Sequence, residues 1–509
     1  MPEVRRPETA LRRQVTAALD EAVAELPGEG PLDEFSKALR RLRDDFPAPL
    51  RVALAGRSGS GKSTLANALL GTHLLPSGRF RTRTVIWLSY AAEPALTVHG
   101  VSGWTMTADP AELEQLTADG PSAGRRPPDT AYVRFEVKNP LLTSFDLIDT
   151  PGADDPGTAG FLAQVGADAL VVVLRRSGAE EDQELLRTFR LAGAIADLAS
   201  PLNSVGVLAA DSVDPADGPA GEDADAMTAA RQVARQLMVD AWGSRLLHDI
   251  RPVALQSALA ARTFSAQDVR DLSLLVSRVP AEVLAERAEN GQEFSAREYT
   301  DMQDVDPRRR SELHALFGSY GLGRAFGALG HLEQRDEHTL RERLLDDTGL
   351  VGFIDLLDDQ FARRADLIKL DRLTGRVERL ARDLRRPQAG LTGWDYALLE
   401  RTVRRFRSQA ADAWDRFSVI SDCHTPGRLA LGDGDVANAL RILGEHGRLL
   451  PDRLGLPGTA SAVEFATRAS ARKDHWARLD GLPFNGPTKR SCRIVLRACD
   501  ELLAESIRM

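Results

Sequence analysis

The sequence is short of several things, and each shortage excludes a class of protein. Three cysteines occur among 509 residues, Cys423, Cys492 and Cys499. That is too few for a disulfide framework, and no tight pair of pairs offers four zinc ligands. They read as packed, reduced thiols. Aromatic residues make up 6% against 43% hydrophobic residues overall. The core must therefore be mostly Leu, Ala and Val, a mix that suits long helices better than a β-sandwich. No run approaches the ~18 apolar residues of a membrane-spanning helix. The opening MPEVRRPETALRRQ has no apolar signal region, and a cytoplasmic location is the expectation. Positive charge is also short: 65 Lys and Arg face 74 Asp and Glu, for a net charge of −9. A general nucleic-acid binder needs a basic face to displace counterions, so none is expected. Whole-surface attraction to anionic lipid is disfavoured for the same reason. Lysine is scarcest, six residues in all, so each lysine position is informative.

What is present is organised in three stretches. Residues 1–48 read as a helical hairpin, with Leu32, Phe35, Leu39 and Leu42 at helical spacing before Pro47 and Pro49. It is expected to pack against the C-terminal helices. Residues 49–262 alternate short apolar runs with helical segments. The runs lie at 50–56, 131–138, 145–149, 168–174, 204–209 and 251–255, with helices at 180–198 and 224–243 among the later ones. This order predicts an α/β domain with a mainly parallel sheet and helices on both faces. Ligands of such sheets bind at the carboxyl ends of the strands. Residues 263–509 carry no convincing strand and read as a large all-α bundle. Within them, Leu350, Ile354, Leu357, Phe361, Leu370, Leu373, Val377, Leu380 and Leu384 predict one long helix over 349–386. Further helices are expected at 393–417, 434–450, 459–479 and 487–507.

The strongest motif is GRSGSGKST, Gly56 to Thr64, which fits G-x-x-x-x-G-K-[ST] between a strand and a helix. Its expected nucleotide-binding residues are Gly56, Arg57, Ser58, Gly59, Ser60, Gly61, Lys62, Ser63 and Thr64. Gly56, Gly59 and Gly61 let successive backbone N–H groups turn toward phosphate oxygens. The helix N-terminus adds positive potential. Lys62 supplies a point charge and Ser63 a Mg²⁺ ligand. The second motif is DTPG, Asp149 to Gly152, 87 residues after Lys62 at the end of an apolar run. There Asp149 can hold Mg²⁺ and the Gly152 amide can meet a γ-phosphate. Between them, LLPSGRFRTRTVIW offers Thr82 and Thr84 as the threonine that closes over metal and phosphate. A guanine reader places [NT]-K-x-D after a later strand. Here the strand ends Ala209, Ala210, Asp211, with the acid present and the lysine absent. Asp211 is the expected base reader, Asp214 the second choice, and Gln256 and Ser257 a supporting loop.

The order of P-loop, LLPSG…T, LIDTPG, strand-Asp and helical half resembles the bacterial dynamin-like GTPases. The likeness is nearer to the actinobacterial isoniazid-inducible subgroup, in its member without membrane spans. It includes NSVGVLAAD (203–211), where relatives carry Ser-Arg-Ala-Asp, and extends to 346–369 and 475–505. The resemblance implies a GTPase head on a helical neck and trunk. It implies GTP or GDP and Mg²⁺ as cofactors, with Mg²⁺ at Ser63, Thr82 and Asp149. Lys62, Ser58 and Thr82 would serve catalysis. It also implies self-association or pairing with a paralogous dynamin-like protein, and peripheral contact with the inner face of the plasma membrane in membrane remodelling.

No glutamine follows DTPG; the next residues are Ala153, Asp154 and Asp155. Turnover by a lone monomer should therefore be slow. Two competing functions stand beside the GTPase. One is a degenerate scaffold, with or without nucleotide, for an active paralogue. The other is an ATP-using kinase, against which DTPG and the helical half both speak. Arg401, Arg404, Arg405 and Arg407 form a basic cluster, read as a solvated helix face. The run FGSYGLGRAFGALG (317–330) reads as a close-packed helix or a hinge, with a membrane-touching loop as the remaining alternative.

Overall fold

A computed structural model describes residues 9–27, 29–77, 82–119, 126–152, 165–175, 203–213, 225–239, 246–331, 336–384, 391–409, 411–424, 428–445, 447 and 449–508. The chain divides into two compact units. One comprises chiefly Pro49–Ala199 and Asn203–Ala365, the other Pro7–Ala48 and Asp366–Met509.

The first unit is built on a nine-stranded sheet. Its strands are β1 (Arg51–Ala55), β2 (Val85–Tyr90), β3 (Ala95–Gly100), β4 (Thr105–Ala108), β5 (Thr130–Val137), β6 (Asp146–Asp149), β7 (Ala169–Leu174), β8 (Ser204–Ala209) and β9 (Ile250–Val253). The order is β4-β3-β5-β2-β6-β1-β7-β8-β9. From β6 to β9 every neighbour runs parallel. All residues of β6, β7 and β8 are buried, so both faces of the centre are covered, as parallel sheets require. At the other end β2 joins β6 antiparallel, and β3 pairs antiparallel with both β4 and β5. Sequence patterning found six of the strands and missed β2, β3 and β4. These carry mixed or exposed patterns, and β4 is open along most of its length. The helix expected at 180–198 lies outside the described residues.

Helix α3 (Lys62–Leu70) follows β1, α4 (Ala226–Val239) precedes β9, and α5 (Leu255–Thr263) follows it. Ala53, Ala55, Leu170, Val172, Leu174 and Leu208 of the strands share a core with Ala230, Val233 and Leu237 of α4. The expected domain boundary at 262/263 falls inside this unit. Ala260, Ala261 and Phe264 at the end of α5 share a second core with Leu272, Leu284, Phe294, Leu313, Phe317, Phe326 and Leu344. The helices of 266–348 share this core, with Pro307–His331 and Glu337–Thr348 packed directly on α5, so they belong with the sheet. Among them α6 (Pro307–His331) kinks at Gly318, where φ is 67° and ψ 172°.

The expected single helix over 349–386 is two. Leu350–Leu357 is helical, Asp358–Ala362 widens to a π-type turn, and α7 runs Ala365–Leu384. The break turns Gln360 and Phe361 inward, and the division between the units falls just beyond it.

In the second unit, α1 (Ala10–Glu25) and α2 (Asp33–Asp45) share a core with α7 and α8 (Gly393–Gln409). Val15, Leu19, Phe35 and Leu39 meet Leu370, Leu373, Val377 and Leu399 there. Helices Ala462–Gly481 and Gly486–Arg508 lead a further core containing Trp476. Cys492 and Cys499 lie within it as free thiols, and burial pushes them up to about 11 and about 12. Cys423, also a free thiol, packs against that core and is likewise pushed up to about 12 by burial. On α8, Arg401 and Arg404 are exposed; the side chains of Arg405 and Arg407 lie outside the description.

Lys369 fastens the end of the N-terminal hairpin. Its buried ammonium donates to the carbonyls of Asp45 (2.8 Å) and Ala48 (2.7 Å), closing α2 with a positive charge at its negative end. Lys369→Met keeps the packing volume and strands both carbonyls. Urea unfolding should place its loss of stability at about 1–3 kcal/mol, whereas an unchanged midpoint would make the contact dispensable.

Candidate functional site

The site is assembled at the carboxyl ends of β1, β6 and β8. The Gly56–Gly61 loop passes through positive φ at Gly56, Gly59 and Gly61. A side chain on Gly61 would meet Leu255 Cδ1 at 2.5 Å, a movable methyl, but the φ of 100° there is one that L side chains rarely adopt, and this favours glycine. Helix α3 starts at Lys62, directly after the loop. Lys62 is buried, and its ammonium donates to the carbonyls of Gly56 and Arg57, each at 2.9 Å. The cation is thus folded across the loop that its motif assigns to phosphate. Ser60 is buried and its Oγ has no hydrogen-bond partner among the described residues. Arg57 and Ser58 lie half-buried on the loop.

The next strand delivers the acid. Leu54 of β1 stands level with Asp149 of β6, and the Thr150 hydroxyl donates to the Leu54 carbonyl at 2.6 Å. Asp149 accepts from Ser63 Oγ at 2.7 Å through Oδ2. The Thr82 hydroxyl lies 3.2 Å from Ser63 Oγ. Asp149 is fully buried, yet its Oδ1 has no hydrogen-bond partner among the described residues. Loss of solvent raises its pKa, against the opposing pull of the Ser63 hydroxyl and the Lys62 charge. A buried carboxylate with one unsatisfied oxygen, flanked by two hydroxyls, is a hard-oxygen donor set suited to Mg²⁺. The three residues predicted for metal therefore meet. Thr84, the alternative to Thr82, is buried elsewhere and accepts from Arg126 Nη1 at 2.7 Å. Gly152 is buried at the end of its motif; Ala153, Asp154, Asp155 and Asp214 lie outside the described residues.

Beyond the loop a cavity of about 350 Å³ opens, lined by Gly61, Thr64, Asp211, Gln256 and Ser257 among others. Asp211 faces it with an exposed side chain and anchors the start of α5, accepting from the amides of Leu255 (3.4 Å) and Gln256 (3.1 Å). Two contributors to the cavity were not legible as such in the sequence. One is the α6 kink, with Phe317, Gly318, Ser319 and Tyr320 on the wall. Gln256 Nε2 donates to the Ala315 carbonyl at 2.6 Å, and Ser257 Oγ to that of Phe317 at 3.3 Å. The 317–330 run is thus a kinked, packed helix inside the first unit. The other is Arg175, one residue past β7, whose Nη1 donates to the Gly59 carbonyl at 3.0 Å.

A P-loop at the end of β1, a strand-borne acid beside it and a cavity bounded by a second acid have the make-up of a P-loop nucleotide site. Residues 52–175 match the model of the Dynamin family. The chain is 27% identical over 489 residues to the Isoniazid-induced protein IniC of Mycobacterium tuberculosis, covering 92% of each. It is 29% identical over 150 residues to the Bacterial dynamin-like protein of Nostoc punctiforme, covering 27% of this chain and 21% of that one. A solved structure of an oligomerised bacterial dynamin pair aligns with 98% of this chain and 91% of its own. That match has 13% identity and a TM-score of 0.30, too low to weigh on fold or function. The chain is similar to bacterial dynamin-like proteins, and the stretch that matches the Dynamin family lies in its first unit.

The raised pKa of Asp149 has a measurable sign. The folded protein holds this proton more tightly than the unfolded chain does, so the associated stability is present at low pH. It is lost as pH rises through the folded pKa. Without metal or nucleotide at neutral pH, Asp149→Asn should therefore melt at or a few degrees above wild type, and the gap should close in acid. Adding Mg²⁺ and GTP should raise the melting temperature of wild type alone. A variant that melts far below wild type without metal would contradict this reading of the carboxylate.

Proposed function

We propose that this chain is a Mg²⁺-dependent dynamin-like GTPase that hydrolyses GTP slowly as a lone monomer. Its turnover rises on association with itself or with a paralogous dynamin-like protein. The observation that carries the reading is the convergence of Ser63, Thr82 and the unsatisfied Asp149 carboxylate at the foot of the P-loop.

In this reading Mg²⁺, when bound by Ser63, Thr82 and Asp149, neutralises charge on the β- and γ-phosphates. Lys62 exchanges the carbonyls of Gly56 and Arg57 for phosphate oxygens, and the loop amides turn toward the same oxygens. The Gly152 amide meets the γ-phosphate. Ser58 donates to that phosphate or to the attacking water, and Arg57 adds positive charge at the loop. Asp211 accepts from the guanine N1 and N2 groups. Its hold on the Leu255 and Gln256 amides fixes its carboxylate in place, which favours it over a solvated loop acid. The water is positioned by the Thr82 backbone or by a partner molecule, since no glutamine follows DTPG. Dependence on a partner for that group links turnover to assembly. The proposed setting is membrane remodelling or maintenance from the cytoplasmic face. Among the described residues no helix is long and apolar enough to cross a membrane, so contact would be peripheral.

The test is binding of fluorescent mant-GTP and mant-ATP with Mg²⁺. Wild type should prefer mant-GTP, and Lys62→Ala should weaken it roughly 10- to 100-fold, the range for losing a hydrogen bond to a charged group. Equal binding of both nucleotides, or indifference to Lys62→Ala, would contradict the proposal.

A further inference from the structure

The lysine of [NT]-K-x-D is missing here, and its place, two residues before Asp211, is taken by Ala209. Ala209 is buried and offers only a methyl group. A guanine held by Asp211 at its edge alone would have nothing charged against its ring face and nothing joining its pocket to the P-loop. The sheet register brings a cation to that spot from the neighbouring strand. Strands β7 and β8 run parallel, with Val173 level with Val207 and Leu174 level with Leu208. The next residues along are Arg175 and Ala209. Arg175 is exposed, lines the same cavity as Asp211, and donates through Nη1 to the Gly59 carbonyl at 3.0 Å. Its charge also reaches Asp211.

We propose that Arg175 stacks its guanidinium on the base of the bound nucleotide while its edge holds the P-loop at Gly59, supplying from β7 the cation absent before Asp211. The chemistry suits this double use. The N–H donors of a guanidinium lie in its plane, so an arginine that spends an edge on a carbonyl keeps its faces for a stacked ring. A cation over an aromatic face is attracted by the ring quadrupole. The specificity then divides. Asp211 selects the hydrogen-bonding edge, and Arg175 strengthens binding of any purine that fits, without choosing between edges. The inference rests on the nucleotide reading of this site and adds a residue to it.

The experiment compares wild type, Arg175→Ala and Arg175→Lys. The affinities for GTP, GDP and inorganic tripolyphosphate are read by displacement of mant-GDP. Tripolyphosphate carries the phosphates without the base. Arg175→Ala should weaken GTP and GDP about tenfold and leave tripolyphosphate within about twofold. Arg175→Lys keeps a donor for Gly59 and loses the plane, so it should fall between. Equal losses for GTP and tripolyphosphate would reduce Arg175 to a brace of the P-loop and overturn the proposal, as would unchanged GTP binding. Melting temperatures identify a variant that fails to fold, and the lysine variant then carries the comparison by the same criterion. If wild type binds no guanine nucleotide, the nucleotide reading falls and this inference with it. If wild type binds and the arginine variants match it, this inference alone falls.

Discussion

The buried carboxylate of Asp149 is the constraint on which the rest of the site depends. A fully enclosed acid with one unsatisfied oxygen is costly in a folded protein. It persists because the surrounding structure fixes it. β6 is locked between β1 and β2, Thr150 is tied back to Leu54, and Ser63 holds one oxygen from the first turn of α3. Each of these residues comes from a different element, so the arrangement exists only once the sheet is complete. The same geometry that makes the acid unfavourable alone makes it a strong ligand for a hard cation. The P-loop beside it is shaped in the same economical way, with Gly61 pressed against Leu255 so that α3 and α5 share one boundary.

The cavity beside the P-loop is not bounded by the sheet alone. Asp211 holds the first amides of α5, and Gln256 and Ser257 of α5 hold the carbonyls of Ala315 and Phe317 where α6 kinks. Gly318 adopts a left-handed φ at the kink, and a side chain there would press on Gln256 Oε1 at 2.9 Å. The Asp211 end of the cavity is thus hydrogen-bonded to a helix that starts more than forty residues after α5 ends. A change in the position of Asp211 would reach α6 through two side chains. This gives the helices of 266–348 a reason to pack with the sheet rather than with the helices that follow them.

Much of this was legible in the sequence because phosphate and metal chemistry demand particular residues at fixed spacing. GRSGSGKST and DTPG could be placed at strand ends, and Thr82 could be named beside Thr84, since those roles depend on local motifs. The antiparallel end of the sheet was not legible. β2 carries a serine within a mostly buried run, and β4 is largely exposed, so neither shows the pattern of a parallel core strand. The helix break at 358–362 was hidden because Leu357 and Phe361 keep helical spacing across it. Arg175 was missed for a different reason. Its place beside Ala209 follows from the pairing of β7 with β8, which no spacing along the chain records. The absent lysine was visible, and in retrospect it was the signal to look for a cation on the adjoining strand.

The most direct test of the account is the rate of phosphate release from GTP per mole of protein, measured with Mg²⁺ over a wide range of protein concentration. The account predicts a low rate in dilute solution that climbs with concentration as copies or partners supply the group that positions water, and a rate near background for Lys62→Ala throughout. A specific rate that is high and independent of concentration, or one that stays at the level of Lys62→Ala at every concentration with and without membranes or a partner, would contradict it.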